Sequence, residues 1–266
     1  MESAGSPKAS LLADWALARG ITRLTAGEVA ATLSIPEEQV SVRLRVPAQR
    51  GEWVSPMHGL WIPVPPEYRT WGAPPGIDVV AAMMAHADAR YYVGWLAAAE
   101  LHGAAHQAPQ VFQVATSRRL RGRQVGRTRF EFFTRSAVGR LPVESRTTRT
   151  GVVQVSTLHT TMLDVATDVR AAAGMDNVAT VVVELAEQDG FDAGTLVEVA
   201  REYPVATLQR VGWLLEHFGG MDLRMIEGAV RDRHVGQARL DPTRRLVGPL
   251  DVRWNVRLNT TVEPDL

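Results

Sequence analysis

The stretch IPVPPEYRTWGAPPG, residues 62–76, places Pro63, Pro65, Pro66, Pro74 and Pro75 within thirteen positions. Proline fixes φ and has no backbone N–H, so a run this dense blocks both helix and sheet and predicts a stiff, extended connector. It divides the 266-residue chain, a length that fits two cores comfortably. The expected division is a first domain over residues 1–65, a linker over 66–76 and a second domain over 77–266.

The chain has no cysteine. That excludes a disulfide framework and thiolate metal sites, and it agrees with a reducing cytoplasm. No run approaches about 18 apolar residues, and the opening MESAGSPKAS lacks a charged-then-apolar signal pattern. The expectation is a soluble cytoplasmic protein with no membrane partner. Net charge is zero, but its distribution is polar: residues 1–150 hold 18 basic and 12 acidic side chains, and residues 151–266 hold 11 and 17. The basic half can meet phosphate; the acidic half is less suited to it. Arginine makes up 28 of the 29 basic residues, which fits either bidentate phosphate chemistry or a genome rich in G and C.

In the first domain, SPKASLLADWALARG has Leu11, Leu12, Trp15 and Ala18 at helical spacing and a stop at Gly20. TAGEVAATL follows, with Thr25 and Glu28 spaced as a capping box and Val29 and Leu33 on one face. After a turn at Ser34 and Ile35, Pro36 suits the first position of another helix, with Glu37 and Glu38 in its first turn. Val40 and Leu44 continue the apolar stripe, and Pro47 predicts a helix end or kink near Val46. EWV and GLWIPV then read as two strands around SPMHG. Helix, tight turn, helix and hairpin in this order are similar to winged helix-turn-helix domains over about residues 8–65, whose second helix can lie in the major groove. The exposed candidates for DNA contact are Gln39, Ser41, Arg43, Arg45, Gln49 and Arg50, with His58 at the hairpin tip. Arginine can pair with guanine and glutamine with adenine. The alternative is a module of the same shape that binds a protein partner and not DNA.

The second domain alternates helical and extended patterns at first. IDVVAAMMAHADAR is helical, YYV extended, GWLAAAELHG helical; QVFQVAT, RFEFFT and GVVQVS are extended. Five amphipathic stretches between Leu158 and Arg233 predict a helical second half. DVRWNVRLN alternates strictly, predicting a half-buried strand with Val252, Trp254, Val256 and Leu258 on one side. The fold class is therefore α+β: a winged helix-turn-helix domain followed by a mixed α/β domain with a helical second half.

Between QVFQVAT and RFEFFT lies TSRRLRGRQVGRTRF, with six arginines and no acid. From Ser117 to Arg149, ten arginines face only Glu131 and Glu144, so the basic bias belongs mainly to this segment. Gly122 and Gly126 permit a hairpin-like crossing. The loop is either solvated, or a toxin-facing surface, or a second phosphate contact through Arg118, Arg119, Arg121 and Arg123.

No catalytic constellation emerges. GRQVGRT lacks the spacing and lysine of a phosphate loop. His102 and His106 are four apart, but Gly103 interrupts them and packed or capping histidines are the plainer reading. Asp164 and Asp168 are also four apart and read as solvent-facing or capping acids ahead of metal ligands. Arg210 and Glu216 read as a local ion pair. No D-x-D pair occurs. The chain reads as a non-enzyme with no cofactor and no metal.

YYVGWLAAAELHGAAHQAPQVFQVATSRR, STLHTTMLDVATDVRAAAGMDNVATVVVELAEQ and FDAGTLVEVAREYPVATLQRVGWLLEHFG together resemble the AbiEi-type antitoxin family, including its mycobacterial members. The carriers are a small-residue helix ending in LHG, the Leu-Asp of TTMLDVA and the RVGWLLE helix. The resemblance implies an N-terminal winged helix that binds inverted repeats in the double-stranded DNA of its own promoter, making the chain a transcriptional autorepressor. It implies a C-terminal domain that counters a nucleotidyltransferase-like toxin, whose paired metal-binding acids this chain lacks. It implies Arg43, Arg45 and Arg50 as DNA contacts, and Asp164, Arg210 and Glu216 as fold-defining rather than catalytic positions.

Overall fold

A computed structural model describes residues 7–104, 111–233 and 236–266. A 3-10 turn at Ala9–Leu11 leads into α1 (Leu12–Leu17), which buries Leu12, Ala13 and Ala16. Leu11 is left exposed, so the buried stripe lies one position around from the expected one. Strand β1 (Leu24–Thr25) runs into α2 (Ala26–Leu33). Thr25 and Glu28 close the expected capping box: the Thr25 N–H donates to Glu28 Oε2 at 2.6 Å, and the Glu28 N–H donates to Thr25 Oγ1 at 3.2 Å. The backbone bond from Thr25, the largest cause, holds the Glu28 carboxyl below its usual range.

Ser34 turns the chain at φ 55°, and a 3-10 turn at Glu37–Gln39 leads into α3 (Val40–Gln49). Pro47 does not end α3. It sits inside the last turn with its ring buried, and Arg50 N–H still reaches the Val46 carbonyl at 3.1 Å. One intrahelical bond is lost where the preceding carbonyls face water, which a final turn tolerates. Strands β2 (Trp53–Met57) and β3 (Leu60–Pro63) form an antiparallel hairpin, and β1 pairs on the far side of β3. Leu12, Val29, Val40, Leu44, Trp53 and Trp61 make one core.

The proline stretch is not extended throughout: residues Pro66–Trp71 coil into a 3-10 helix closed by Gly72. Proline's fixed φ suits the start of such a turn. The turn is tied on both sides, by Arg69 to Asp14 at 2.7 Å and by Arg149 to Glu67 and to the Tyr68 hydroxyl, both at 2.7 Å.

Next come α4 (Gly76–His86), β4 (Tyr91–Val93), α5 (Trp95–Leu101), β5 (Val111–Thr116), β6 (Arg123–Val125), β7 (Thr128–Thr134), β8 (Val143–Thr148) and β9 (Gly151–Ser156). They form a six-stranded mixed sheet in the order β6-β7-β5-β4-β9-β8. β5 and β7 are parallel neighbours, so the arginine run does not make a simple hairpin between them. The reversal is β6 to β7, through a two-residue turn at Gly126 and Arg127. A parallel pair needs a crossover, and β6 supplies the return pass. Strand β8 gives no apolar signal because it is an edge strand with polar side chains on both faces.

Two cores flank the sheet. On one face α4 packs Val79, Val80, Met83 and Met84 against Val93, Val114, Phe130, Val153 and Val155, and Leu60 and Ile62 of β3 join them. β3 is therefore buried on both sides: Trp61 faces the first core, Leu60 and Ile62 the second. On the other face lie α5, α6 (Leu158–Thr167), α7 (Met175–Ala186), α8 (Ala193–Val199), α9 (Val205–Leu214), which continues as a π turn over Leu215–Gly219, and α10 (Arg224–Asp232).

The last segment is not one strand. β10 (Ala238–Arg239), β11 (Leu250–Asp251) and β12 (Val256–Arg257) form a small sheet, with a turn over residues 252–255. The Asp251 carboxylate accepts from the Trp254 N–H at 3.0 Å, and Asn255 takes φ 52°. Side-chain capture of the backbone competes with extension and wins here. Trp254 and Val256 are buried as expected, while Val252 is 84% exposed.

Candidate functional site

Helix α3 buries Val40, Leu44 and Pro47 against the first core, which turns the rest of its surface outward. Gln39, Ser41, Arg43, Arg45, Gln49 and Arg50 are all exposed, and so is His58 at the β2–β3 tip. The side chains of Arg43, Arg45 and Arg50 have no hydrogen-bond or ion-pair partner among the described residues. The structure thus gathers six of the sequence candidates on one helix with its flanks, carrying three free guanidinium groups.

The hairpin tip is held from the other side. Arg123 donates to the Pro56 carbonyl at 2.6 Å, and His86 Nε2 lies 2.9 Å from the His58 carbonyl. These contacts tie the hairpin to β6 and to α4. They also separate the four loop arginines singled out from the sequence. Arg118 donates to the Ala87 carbonyl at 3.0 Å and pairs with Asp88 at 2.9 Å. Arg123 is committed to Pro56. Only Arg119 and Arg121 point to solvent without a partner among the described residues. Further along the same run, Arg127 lies over the Trp71 ring and Arg129 pairs with Glu131 at 3.0 Å.

The second constellation is a buried polar cluster on the helical side of the sheet. Asp164 on α6 is fully buried and does not face solvent. Its Oδ1 meets Arg135 at 2.8 Å and accepts from the Tyr203 hydroxyl at 2.7 Å and the Tyr92 hydroxyl at 3.4 Å. Its Oδ2 has no hydrogen-bond partner. Burial pushes the Asp164 carboxyl up to about 6, against the pull of Arg135 and the two hydroxyls. Asp168, partly exposed, accepts from Arg135 at 3.2 Å and from the Trp95 indole N–H at 3.1 Å. The two acids are bridged by one guanidinium, which leaves no paired-carboxylate geometry for a cation. Trp95 itself adopts φ 50°, a region that bulky residues occupy only when their surroundings over-determine them. A methyl on Gly94 would come within 2.9 Å of the Tyr92 ring and 3.0 Å of Asp164 Oδ2, so glycine is the residue that fits.

The other suspected sites resolve into structure. His102 has one ring nitrogen 2.8 Å from the Ser156 carbonyl and the other 3.2 Å from Arg146, an arrangement that fits a neutral ring protonated at Nε2. Burial lowers its pKa accordingly. His106 lies outside the described residues. Arg210 and Glu216 do not pair with each other. Arg210 is buried and donates to the Leu240 carbonyl at 2.7 Å, to the Arg239 carbonyl and to the Ala166 carbonyl. Glu216 pairs with Arg253 and accepts from the Trp254 indole N–H at 2.5 Å. Between them, Gly212 gives the Trp254 ring room: a methyl there would fall 2.1 Å from a ring carbon. The RVGWLLE pattern is thus a cradle for the C-terminal segment.

Sequence reasoning missed Arg135, Tyr92, Tyr203 and Trp95, because a lone arginine after a strand and aromatics inside apolar runs carry no spacing signal. Among the described residues no group of three or more His, Asp or Glu side chains is placed to hold a metal ion. No helix among them is long and apolar enough to cross a membrane.

No curated protein matches the chain. Among solved structures, the crystal structure of the RV2827C protein from Mycobacterium tuberculosis superposes with a TM-score of 0.68 at 14% identity, covering 96% of this chain and 94% of that one. At that identity the likeness is one of fold. Residues 92–217 match the family model of the AbiEi antitoxin C-terminal domain. That segment runs from Tyr92 to His217 and contains Trp95, Arg135, Asp164, Asp168, Tyr203, Arg210, Gly212 and Glu216, so the buried cluster and the cradle are both built within a domain of the AbiEi antitoxin C-terminal type.

Proposed function

We propose that this chain is an antitoxin and a DNA-binding transcriptional autorepressor, that its first 65 residues act as a winged helix-turn-helix on inverted repeats in its own promoter, and that its partner is a nucleotidyltransferase-like toxin. The observation that carries the reading is α3: a helix that buries one face and turns the other to solvent, with three arginines on it and at its C-cap whose side chains have no partner among the described residues, preceded by a turn and followed by a hairpin. Such a helix suits the major groove, and free guanidinium groups suit phosphate or guanine. On this reading Gln39, Ser41, Arg43, Arg45, Gln49, Arg50 and His58 contact the duplex, Arg119 and Arg121 are available to flanking phosphate, and the chain is not an enzyme and works in the cytoplasm without cofactor. The buried cluster and the cradle hold the antitoxin domain together.

Gel shift with the chain's own upstream DNA tests the proposal. Sequence-specific retention that weakens steeply with salt is expected; no sequence preference at any salt sinks it. One observation favours a second reading, a module that meets a protein partner: the hairpin tip is engaged internally through Pro56 and His58 and is less free than a groove-seeking wing. Retention of the neighbouring gene product at high salt, with no DNA held, is what that reading requires.

A further inference from the structure

We infer that Val42 and Val46 read thymine methyl groups, so that operator choice rests on apolar contact at the centre of α3 while its arginines flank them. This rests on the DNA-binding reading above. Val42 is 72% exposed and Val46 53% exposed, although the same helix buries Val40 and Leu44 completely. At 3.6 residues per turn, the direction opposite Val40, Leu44 and Pro47 is occupied by Val42 and Gln49, with Arg45 and Val46 on either side. Ser41 and Arg43 stand at the margins. Val42 therefore stands at the crest of the outward face and Val46, one turn on, at its shoulder, where a helix in the major groove meets base edges; the marginal residues meet the phosphate backbone.

What surrounds the crest selects its occupant. Two isopropyl groups flanked by Arg43, Arg45, Gln49 and Arg50 are too small and too cationic a patch for a protein's apolar groove. They match the major groove, where the thymine C5-methyl is the one apolar group presented and the phosphates on both sides are anionic. Of the acids in this region, Glu37 and Glu38 lie before α3 starts and repel phosphate there, while Glu52, three residues past its end, is half-buried. The helix would then engage through its middle and last turns, which continue because Pro47 does not end it. Val42 and Val46 are separated by about 6 Å along the axis, close to two base-pair steps.

The test is a thymine-to-uracil scan across the operator half-site found by footprinting the upstream DNA, run with the full chain and with Val42→Ala and Val46→Ala. Uracil removes only the methyl. One or two positions are expected to weaken wild-type binding by about fourfold each, the worth of roughly one buried methyl, and the matching alanine variant is expected to be nearly insensitive at its own position. Both valines are exposed, so the variants keep the fold, which circular dichroism checks. A flat uracil scan with operator affinity intact overturns this inference and leaves the DNA reading standing. Unchanged operator affinity together with loss of a protein partner in both variants overturns it in favour of a protein-facing α3. Absence of any sequence-specific binding by the wild type overturns both.

Discussion

Asp164 shows how a single buried charge governs a domain. Its own side chain is fully buried and is held by Arg135, Tyr92 and Tyr203, and Asp168 shares the same guanidinium at the partly exposed edge of the cluster. Removing one member of such a pair leaves the other desolvated. Asp164→Ala is expected to cost about 3–5 kcal/mol in denaturant unfolding. Burial raises the Asp164 pKa to about 6 in the folded chain, above its ordinary carboxylate value. The folded state therefore binds this proton more tightly than the unfolded state. That contribution to stability is complete below the unfolded value, near 3.9, and is lost as pH rises through about 6. Carboxyl NMR should show one aspartate titrating near pH 6, absent in Asp164→Asn; every aspartate titrating below about 4.5 would contradict the assignment.

At the scale of elements, the arginine run is three different things in one stretch. Arg118 and Arg123 are structural ties, Arg127 and Arg129 rest on Trp71 and Glu131, and Arg119 and Arg121 are free among the described residues. Replacing Arg119 and Arg121 with alanine is expected to leave thermal stability unchanged. If the loop meets phosphate, the slope of log affinity against log salt should become shallower by up to about 2, equally for all DNA sequences. An unchanged slope assigns this loop to solvent or to a protein partner. Arg123→Ala should act differently, increasing hydrogen exchange in residues 53–63, because it releases the Pro56 carbonyl.

Across the whole molecule, β3 is the seam. One of its faces belongs to the core of α1, α2 and α3, the other to the core beneath α4. Ile62→Ala is expected to destabilise the chain by about 2–5 kcal/mol and to lower protection in α2 and α4 together. Loss of protection confined to one side would show that the two cores unfold independently. The same seam bears on the proposed DNA contact, since the hairpin that follows α3 is tied to β6 by Arg123 and to α4 by His86.

What the sequence determined by itself was whatever rests on local chemistry. The Thr25–Glu28 box, the stripe of Val40 and Leu44 and the helices of the second half are all written within a few neighbouring positions, where capping and periodicity act. Val252 to Leu258 looked equally clear and was not, because an aspartate four residues before Asn255 could capture the backbone in a turn. Only the tertiary structure decided the partners. Arg210 and Glu216 sit six apart yet bind the C-terminal segment rather than each other, Asp164 gathers residues from β4, the stretch after β7 and the turn after α8, and two of the four arginines considered for phosphate contact, Arg118 and Arg123, are spent on internal ties. A charged side chain is long, and its best acceptor is chosen by which backbone carbonyls and carboxylates the fold leaves unsatisfied nearby. Spacing along the chain carries no record of that choice.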